Sequence, residues 1–153
     1  MNESRTPSSS DSRLLQPYLF FGGRCEEAIE LYRRVLDARV EQCLRFDESP
    51  DPVPPGMLPP GREKHIMHAA LRIGPDLLMM SDGCSPTAEP FQGFSLSLSV
   101  PTEAEVDRLA QTLSEGGQVR MAPEKTFWSP RFAAIQDRFG VGWMIQVPSA
   151  DSQ

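Results

Sequence analysis

An α+β fold built from two β-α-β-β-β modules is what this sequence predicts, and three observations predict it. The first is an order of hydrophobic patterns, one strand, an amphipathic helix and three strands, that runs twice along the chain. The second is its spacing: Leu19 aligns with Leu96 and Tyr32 with Leu109, both 77 residues apart, while Arg72-Ile73-Gly74 aligns with Arg138-Phe139-Gly140 and Leu77 with Trp143, both 66 apart. The third is a Pro- and Gly-rich stretch in the first copy, "DESPDPVPPGMLPPGREK", which accounts for the extra length of that copy.

Each element follows from its residues. Residues 1–15 are Ser-rich and polar and are expected to form a disordered tail, and 150–153 a short C-terminal tail. The folded unit is expected over 16–149 as a single domain, with module one at 16–84 and module two at 91–149. "YLFF" reads as a short strand, and "CEEAIELYRRVLDA" as a helix whose buried face carries Ala28, Leu31, Tyr32, Val35 and Leu36. "RVEQCLRF" is a second strand. The loop over 47–64 follows because no helix or central strand survives that density of proline. "HIMHAALRI" and "DLLMMSD" are strands joined by a Gly-Pro-Asp turn. In module two, "FSLSLSV" alternates with period two, placing Phe94, Leu96, Leu98 and Val100 on a core and the intervening serines elsewhere. "TEAEVDRLAQTLSEGG" is a helix opened by a Thr102/Glu105 capping pattern and stopped by Gly116 and Gly117. "QVRMA", "RFAAIQ" and "WMIQV" complete the strands.

Composition removes several functional classes. The chain has 153 residues and a mass of 17.0 kDa, with 39% hydrophobic and 24% charged residues, and its net charge of -6 and pI near 4.9 oppose a nucleic-acid or anionic-membrane partner. No signal-peptide pattern and no apolar run of membrane-spanning length occurs, so a cytoplasmic protein is expected. Cys25, Cys43 and Cys84 have neither disulfide nor zinc-knuckle spacing. Cys25 falls near a helix N-terminus, which favours a thiolate, although no base lies near it in sequence and a buried thiol is the expectation. No G-x-S-x-G, Walker-type loop or H-E-x-x-H is present.

The motifs "PYLFF", "CEEAIELYRRVL", "LLMMSD", "KTFW" and "DRFGVGWMIQV", in this order between Pro17 and Val147, resemble the vicinal oxygen chelate superfamily of glyoxalases, bleomycin-resistance proteins and dioxygenases. More narrowly they resemble its PhnB-like subgroup, which carries a 3-demethylubiquinone methyltransferase-like label. That resemblance implies two curved mixed sheets forming a cleft, within a homodimer. The methyltransferase label is not carried over as an activity, because no strand, glycine-rich turn and helix are arranged to hold S-adenosylmethionine.

Metal-using members of the superfamily place His, Gln or Glu on the cleft face of the first and last strands of each module. By strand phase and repeat offset the matching positions here are Tyr18, Met80, Ser95 and Gln146, with Met144 on the same face as Gln146. A phenol, a thioether, a hydroxyl and an amide are a poor set for zinc, nickel, iron or manganese, so no metal and no other cofactor is expected. Gln146 both donates and accepts, which suits either orientation of an organic ligand or pairing with a neighbouring strand. His65 and His68 lie three apart and so point to opposite strand faces. His68 is the imidazole expected to reach the cleft, as a general base or orienting group, or else as a solvated histidine. Phe127, Trp128 and Phe132 surround Arg131, a grouping suited to a planar or anionic ligand and equally to an interface or a core cap.

The expected function is binding, without metal, of a small apolar or aromatic molecule in the inter-module cleft, lined by Tyr18, Phe20, His68, Met80, Ser95, Ser97, Trp128, Met144 and Gln146. Whether the protein is an enzyme stays open at this point. The alternatives are a metal-dependent lyase, isomerase or dioxygenase, or a scaffold using the dimer surface and the Pro-rich loop.

Overall fold

In the computed structural model, which describes residues 12–149, the chain forms two four-stranded mixed sheets, each covered on one side by a helix. Module one comprises β1 (Tyr18–Phe20), α1 (Cys25–Leu36), β2 (Arg39–Arg45), β3 (Ile66–Ile73) and β4 (Asp76–Ser81), in the sheet order β1-β4-β3-β2. Module two repeats it with β5 (Leu96–Ser99), α2 (Glu103–Leu113), β6 (Gln118–Glu124), β7 (Phe132–Gln136) and β8 (Gly142–Gln146), in the order β5-β8-β7-β6. The predicted α+β class and the repeated order are both present. Most of the tail expected over 1–15, and the end at 150–153, lie outside the described residues. No helix among those described is long and apolar enough to cross a membrane.

The elements form for identifiable reasons. Helix α1 buries Ala28, Ile29, Leu31, Tyr32 and Val35 along one stripe, and each large side chain so buried contributes roughly 1.5–3 kcal/mol. Arg24, at its N-cap, gives the first turn no side-chain hydrogen bond. The buried Asp82 carboxylate does so from across the module, accepting from the N–H groups of Gly23 at 2.7 Å and Cys25 at 2.8 Å, and from Ile66 at 2.8 Å. Gly22 takes φ +60, and a Cβ there would come within 2.8 Å of the Ala88 side chain, so the β1-α1 turn depends on glycine. Helix α2 is capped locally, the Thr102 hydroxyl accepting from the Glu105 N–H at 3.2 Å.

Strand pairing fixes the repeat more finely than sequence spacing does. Tyr18 pairs with Met79 in module one and Ser97 with Met144 in module two, while Ala69-Ala70 and Ala133-Ala134 hold matching places on the adjacent strands. Tyr18 is thus the counterpart of Ser97, Met79 of Met144, and Ser81 of Gln146. The expected alignment is two residues out on the first strand and one out on the last, the latter because the β3-β4 turn is shorter than the loop of 137–141 between β7 and β8. One residue is enough to exchange the faces of a strand.

The modules meet through side chains from both. Tyr32 of α1, fully buried, donates its hydroxyl to the Asp137 carboxylate at 2.6 Å, and Trp143 of β8 donates its indole N–H to the same oxygen at 3.0 Å. The other carboxylate oxygen accepts from the Phe139 and Val141 N–H groups, both at 3.0 Å. Burial and the adjacent carboxylate push the Tyr32 phenol well above its usual range, so it remains a donor. Tyr32→Phe is expected to lower unfolding free energy by about 1–2 kcal/mol, and Asp137→Ala by about 3 kcal/mol or more, because the alanine orphans four donors, three of them buried. Urea denaturation of the two variants checks this ranking; a Tyr32→Phe protein as stable as the parent would show that the bridge contributes nothing net.

Candidate functional site

The strands of module one turn Tyr18, Phe20, Met79 and Ser81 away from α1, onto the open face of the first sheet. A β-bulge on β3 shapes that face further. Leu44 pairs with His68 and the next residue, Arg45, with Ile66, so Met67 is the extra residue between them. Ile66 is thereby buried in the core, and Met67 joins the open face instead of the core face that simple alternation predicts.

Over this face folds the Pro-rich segment. Its base is tied down by Lys64 to Asp47 at 2.6 Å, by the Asp47 N–H to the Glu63 carbonyl at 2.9 Å, and by Arg62, which donates to the Ser85 and Pro86 carbonyls at 2.7 and 3.1 Å. Between the segment and the sheet lies an open-sided cavity of about 450 Å³. Tyr18, Phe20 and Phe46 supply rings, Met57, Met67 and Cys84 soft sulfur-bearing groups, and Ser81 a hydroxyl. The Tyr18 and Phe20 rings lie 5.1 Å apart, and the Tyr18 hydroxyl shares a 2.9 Å hydrogen bond with His68 Nδ1. Partial burial pushes the Tyr18 phenol above its usual range, against a smaller opposite pull from the Ser81 hydroxyl, so the phenol is a stable hydrogen-bonding group here.

The nine residues expected to line one cleft are distributed over several places. Tyr18 and Phe20 line the module-one cavity, and His68 adjoins it through Tyr18. Met80 does not face it: fully buried and packed in the core beside Leu19 and Leu78, it is placed on the open face only by the one-residue error in offset. Ser97, Met144 and Gln146 share the open face of the second sheet, and Ser95 precedes β5, its hydroxyl held close to Gly142. Trp128 packs edge-on to Phe127 and Phe132 at 4.7 and 5.3 Å. Arg131, the cation expected beside it, is paired with Asp107 at 2.9 Å. The junction between modules forms a groove of about 590 Å³ along Leu77, Leu78, Leu96, Leu98 and Trp143; of the nine expected residues, Ser97 alone borders it.

Sequence reasoning missed Phe46, Met67, Ser81 and Cys84. A corrected repeat offset finds Ser81, whereas Met67 depends on a bulge and Phe46 and Cys84 on tertiary folding. His65 lies outside β3, beside Gly23, and its Nδ1 is buried without a hydrogen-bond partner among the described residues.

Of the positions that the resemblance gives to metal ligands, Ser81 replaces Met80 as the counterpart of Gln146, and on the first strands Ser97 is the counterpart of Tyr18 while Ser95 lies two residues ahead of it. Ser81 Oγ already accepts from the Gly83 N–H at 2.9 Å and donates to the Ile66 carbonyl at 3.3 Å. Two aliphatic hydroxyls, a phenol and an amide do not fit a divalent transition metal. Among the described residues no group of three His, Cys, Asp or Glu side chains is placed to hold one either.

This arrangement of paired modules defines the class: the chain belongs to the Glyoxalase/Bleomycin resistance protein/Dioxygenase superfamily, whose sequence profile matches residues 14–145. Among individual proteins it is 36% identical to Protein YjdN of Escherichia coli K12, over 87% of this chain and 94% of that one. The crystal structure of protein PA1353 from Pseudomonas aeruginosa superposes with a TM-score of 0.78 at 40% identity, covering 90% of this chain and 98% of that one. A PhnB protein from Bacillus cereus, carrying a 3-demethylubiquinone-9 3-methyltransferase designation, superposes with a TM-score of 0.74 at 25% identity, over 88% and 99% of the two chains.

The thiols give a direct check on the site. Cys25 is fully buried at the start of α1, and burial first, then the neighbouring Asp82 carboxylate, push its thiol far above the usual range. With a disulfide reagent in native buffer, exposed Cys43 is expected to react fast, Cys84 more slowly, and Cys25 only after denaturation. Mass mapping of the labelled cysteines reads the order; fast native labelling of Cys25 would contradict this packing.

Proposed function

We propose that this superfamily member is a cytoplasmic, homodimeric binding protein that holds a small, partly aromatic organic molecule without a metal. Its seat is the open face of the first sheet beneath the Pro-rich segment. The observation that carries the reading is the pairing of a cavity walled by rings and sulfur with hydroxyl and amide groups at the places where metal-using relatives need imidazole or carboxylate. Such a cavity removes apolar surface from water and leaves the Tyr18 hydroxyl to fix orientation. Dimerisation is supported by the exposed apolar side chains of module two, Val119, Met121, Phe127, Trp128 and Met144, which a second copy would cover. His68, bonded to Tyr18, serves as an orienting group.

Three measurements test the reading. Metal content per subunit of untagged protein, purified without chelator, is expected at background by inductively coupled plasma mass spectrometry; near-stoichiometric zinc, nickel, manganese or iron would overturn the metal-free assignment. Calorimetric titration with small aromatic probes is expected to give binding that Phe20→Ala weakens about ten-fold, the loss of one well-packed ring. Sedimentation velocity is expected to give a dimer, and a monomer at micromolar concentration would remove that part of the proposal.

A further inference from the structure

From the charges around the module-one cavity we infer that its occupant is an organic cation, an amine or quaternary ammonium on an aromatic or aliphatic body, in preference to a neutral or anionic molecule of the same shape. The inference rests on the reading that this cavity takes a small molecule. Of the residues that line it, Asp51 is the charged one, and its carboxylate makes no hydrogen bond or ion pair among the described residues. Asp51 stays in place by its backbone, the Ser49 hydroxyl donating to its carbonyl at 2.7 Å.

The cations nearby are all committed elsewhere. Arg45 lies 2.7 Å from Glu26 on the helix side, Lys64 pairs with Asp47, and Arg62 is spent on the Ser85 and Pro86 carbonyls. No lysine or arginine borders the cavity. An anion entering it would therefore lose its hydration against ring faces and one carboxylate, with nothing positive to replace the lost water. A cation meets the opposite situation. The faces of Tyr18, Phe20 and Phe46 carry the negative part of the ring quadrupole, methionine sulfur is polarizable, and Asp51 supplies a full negative charge at the mouth. The net charge of -6 adds a weak attraction of the same sign over longer range.

Calorimetric titration of the full chain with three naphthalene probes decides the matter: (2-naphthylmethyl)trimethylammonium, 2-naphthylmethanol and 2-naphthylmethanesulfonate. The ammonium is expected to bind about ten-fold more tightly than the alcohol, with the sulfonate weakest, as ring faces plus one exposed carboxylate allow. Asp51→Asn, on an exposed loop where folding is not at stake, is expected to weaken the ammonium about five-fold and leave the alcohol within two-fold. Equal affinity for ammonium and alcohol, or a preference of about ten-fold that Asp51→Asn leaves undiminished, would overturn the inference and leave the binding reading standing. If no probe binds, or if binding is indifferent to Phe20→Ala, the cavity reading itself fails and the inference fails with it.

Discussion

The hydrogen bond from Tyr32 to Asp137 is the constraint on which the arrangement of the two modules depends. A carboxylate without a cationic partner is tolerated in a protein interior only when donors replace its water, and four donors from three parts of the chain do so here. Two belong to the loop that carries Asp137, one to β8, and one to α1 of the other module. The loop cannot move without orphaning the Tyr32 hydroxyl, and α1 cannot shift without uncovering Asp137. Around the pair, Phe21, Phe139 and Trp143 meet the Tyr32 ring edge-to-face at 6.4, 6.3 and 5.5 Å, so the polar contact is set within apolar packing that excludes water.

A second carboxylate does for the site what Asp137 does for the junction. Asp82 follows β4 directly and binds the N–H groups that open α1 and β3. It therefore ties the end of the strand bearing Ser81 to the turn after the strand bearing Tyr18 and Phe20. The open face is positioned from below by a group that never touches the cavity. The consequence is asymmetry between the modules: the long segment between β2 and β3 can fold over a face held rigid by Asp82, whereas the shorter loop between β6 and β7 leaves Met144 and Gln146 exposed or half-exposed.

Much of this was legible in the sequence, for physical reasons that also mark where legibility stopped. Periodicity finds elements because burial enforces it, and every strand and both helices lie where the patterns place them. The Thr102 cap was visible because donor and acceptor are three residues apart; the Asp82 cap was not, because its partners lie 57 and 59 residues away. Cys25 stands at a helix start, which alone favours a thiolate, and the structure has the buried thiol that the lack of a nearby base leads one to expect. Met80 and Ser81 differ by one residue along β4, and an offset borrowed from loops that change length between the modules could not choose between them. Likewise the bulge at Met67 has no signature in composition; it is the geometry by which β3 buries Ile66 while keeping its pairing with β2.

The corrected positions sharpen the chemical meaning of the site. Had Met80 faced the cavity, its wall would have held one more thioether and one fewer hydroxyl. With Ser81 in that place, the counterpart of Gln146 is a small group whose hydrogen bonds are spent on the Ile66 carbonyl and the Gly83 N–H. It is thus a structural fastener more than a ligand donor. Beside the Asp51 carboxylate, the hydrogen-bonding capacity that remains at the cavity resides in Tyr18, whose phenol is braced by His68 and whose ring lies near Phe20. A braced hydroxyl amid rings and sulfur is enough to fix the orientation of an organic molecule held by its apolar surface.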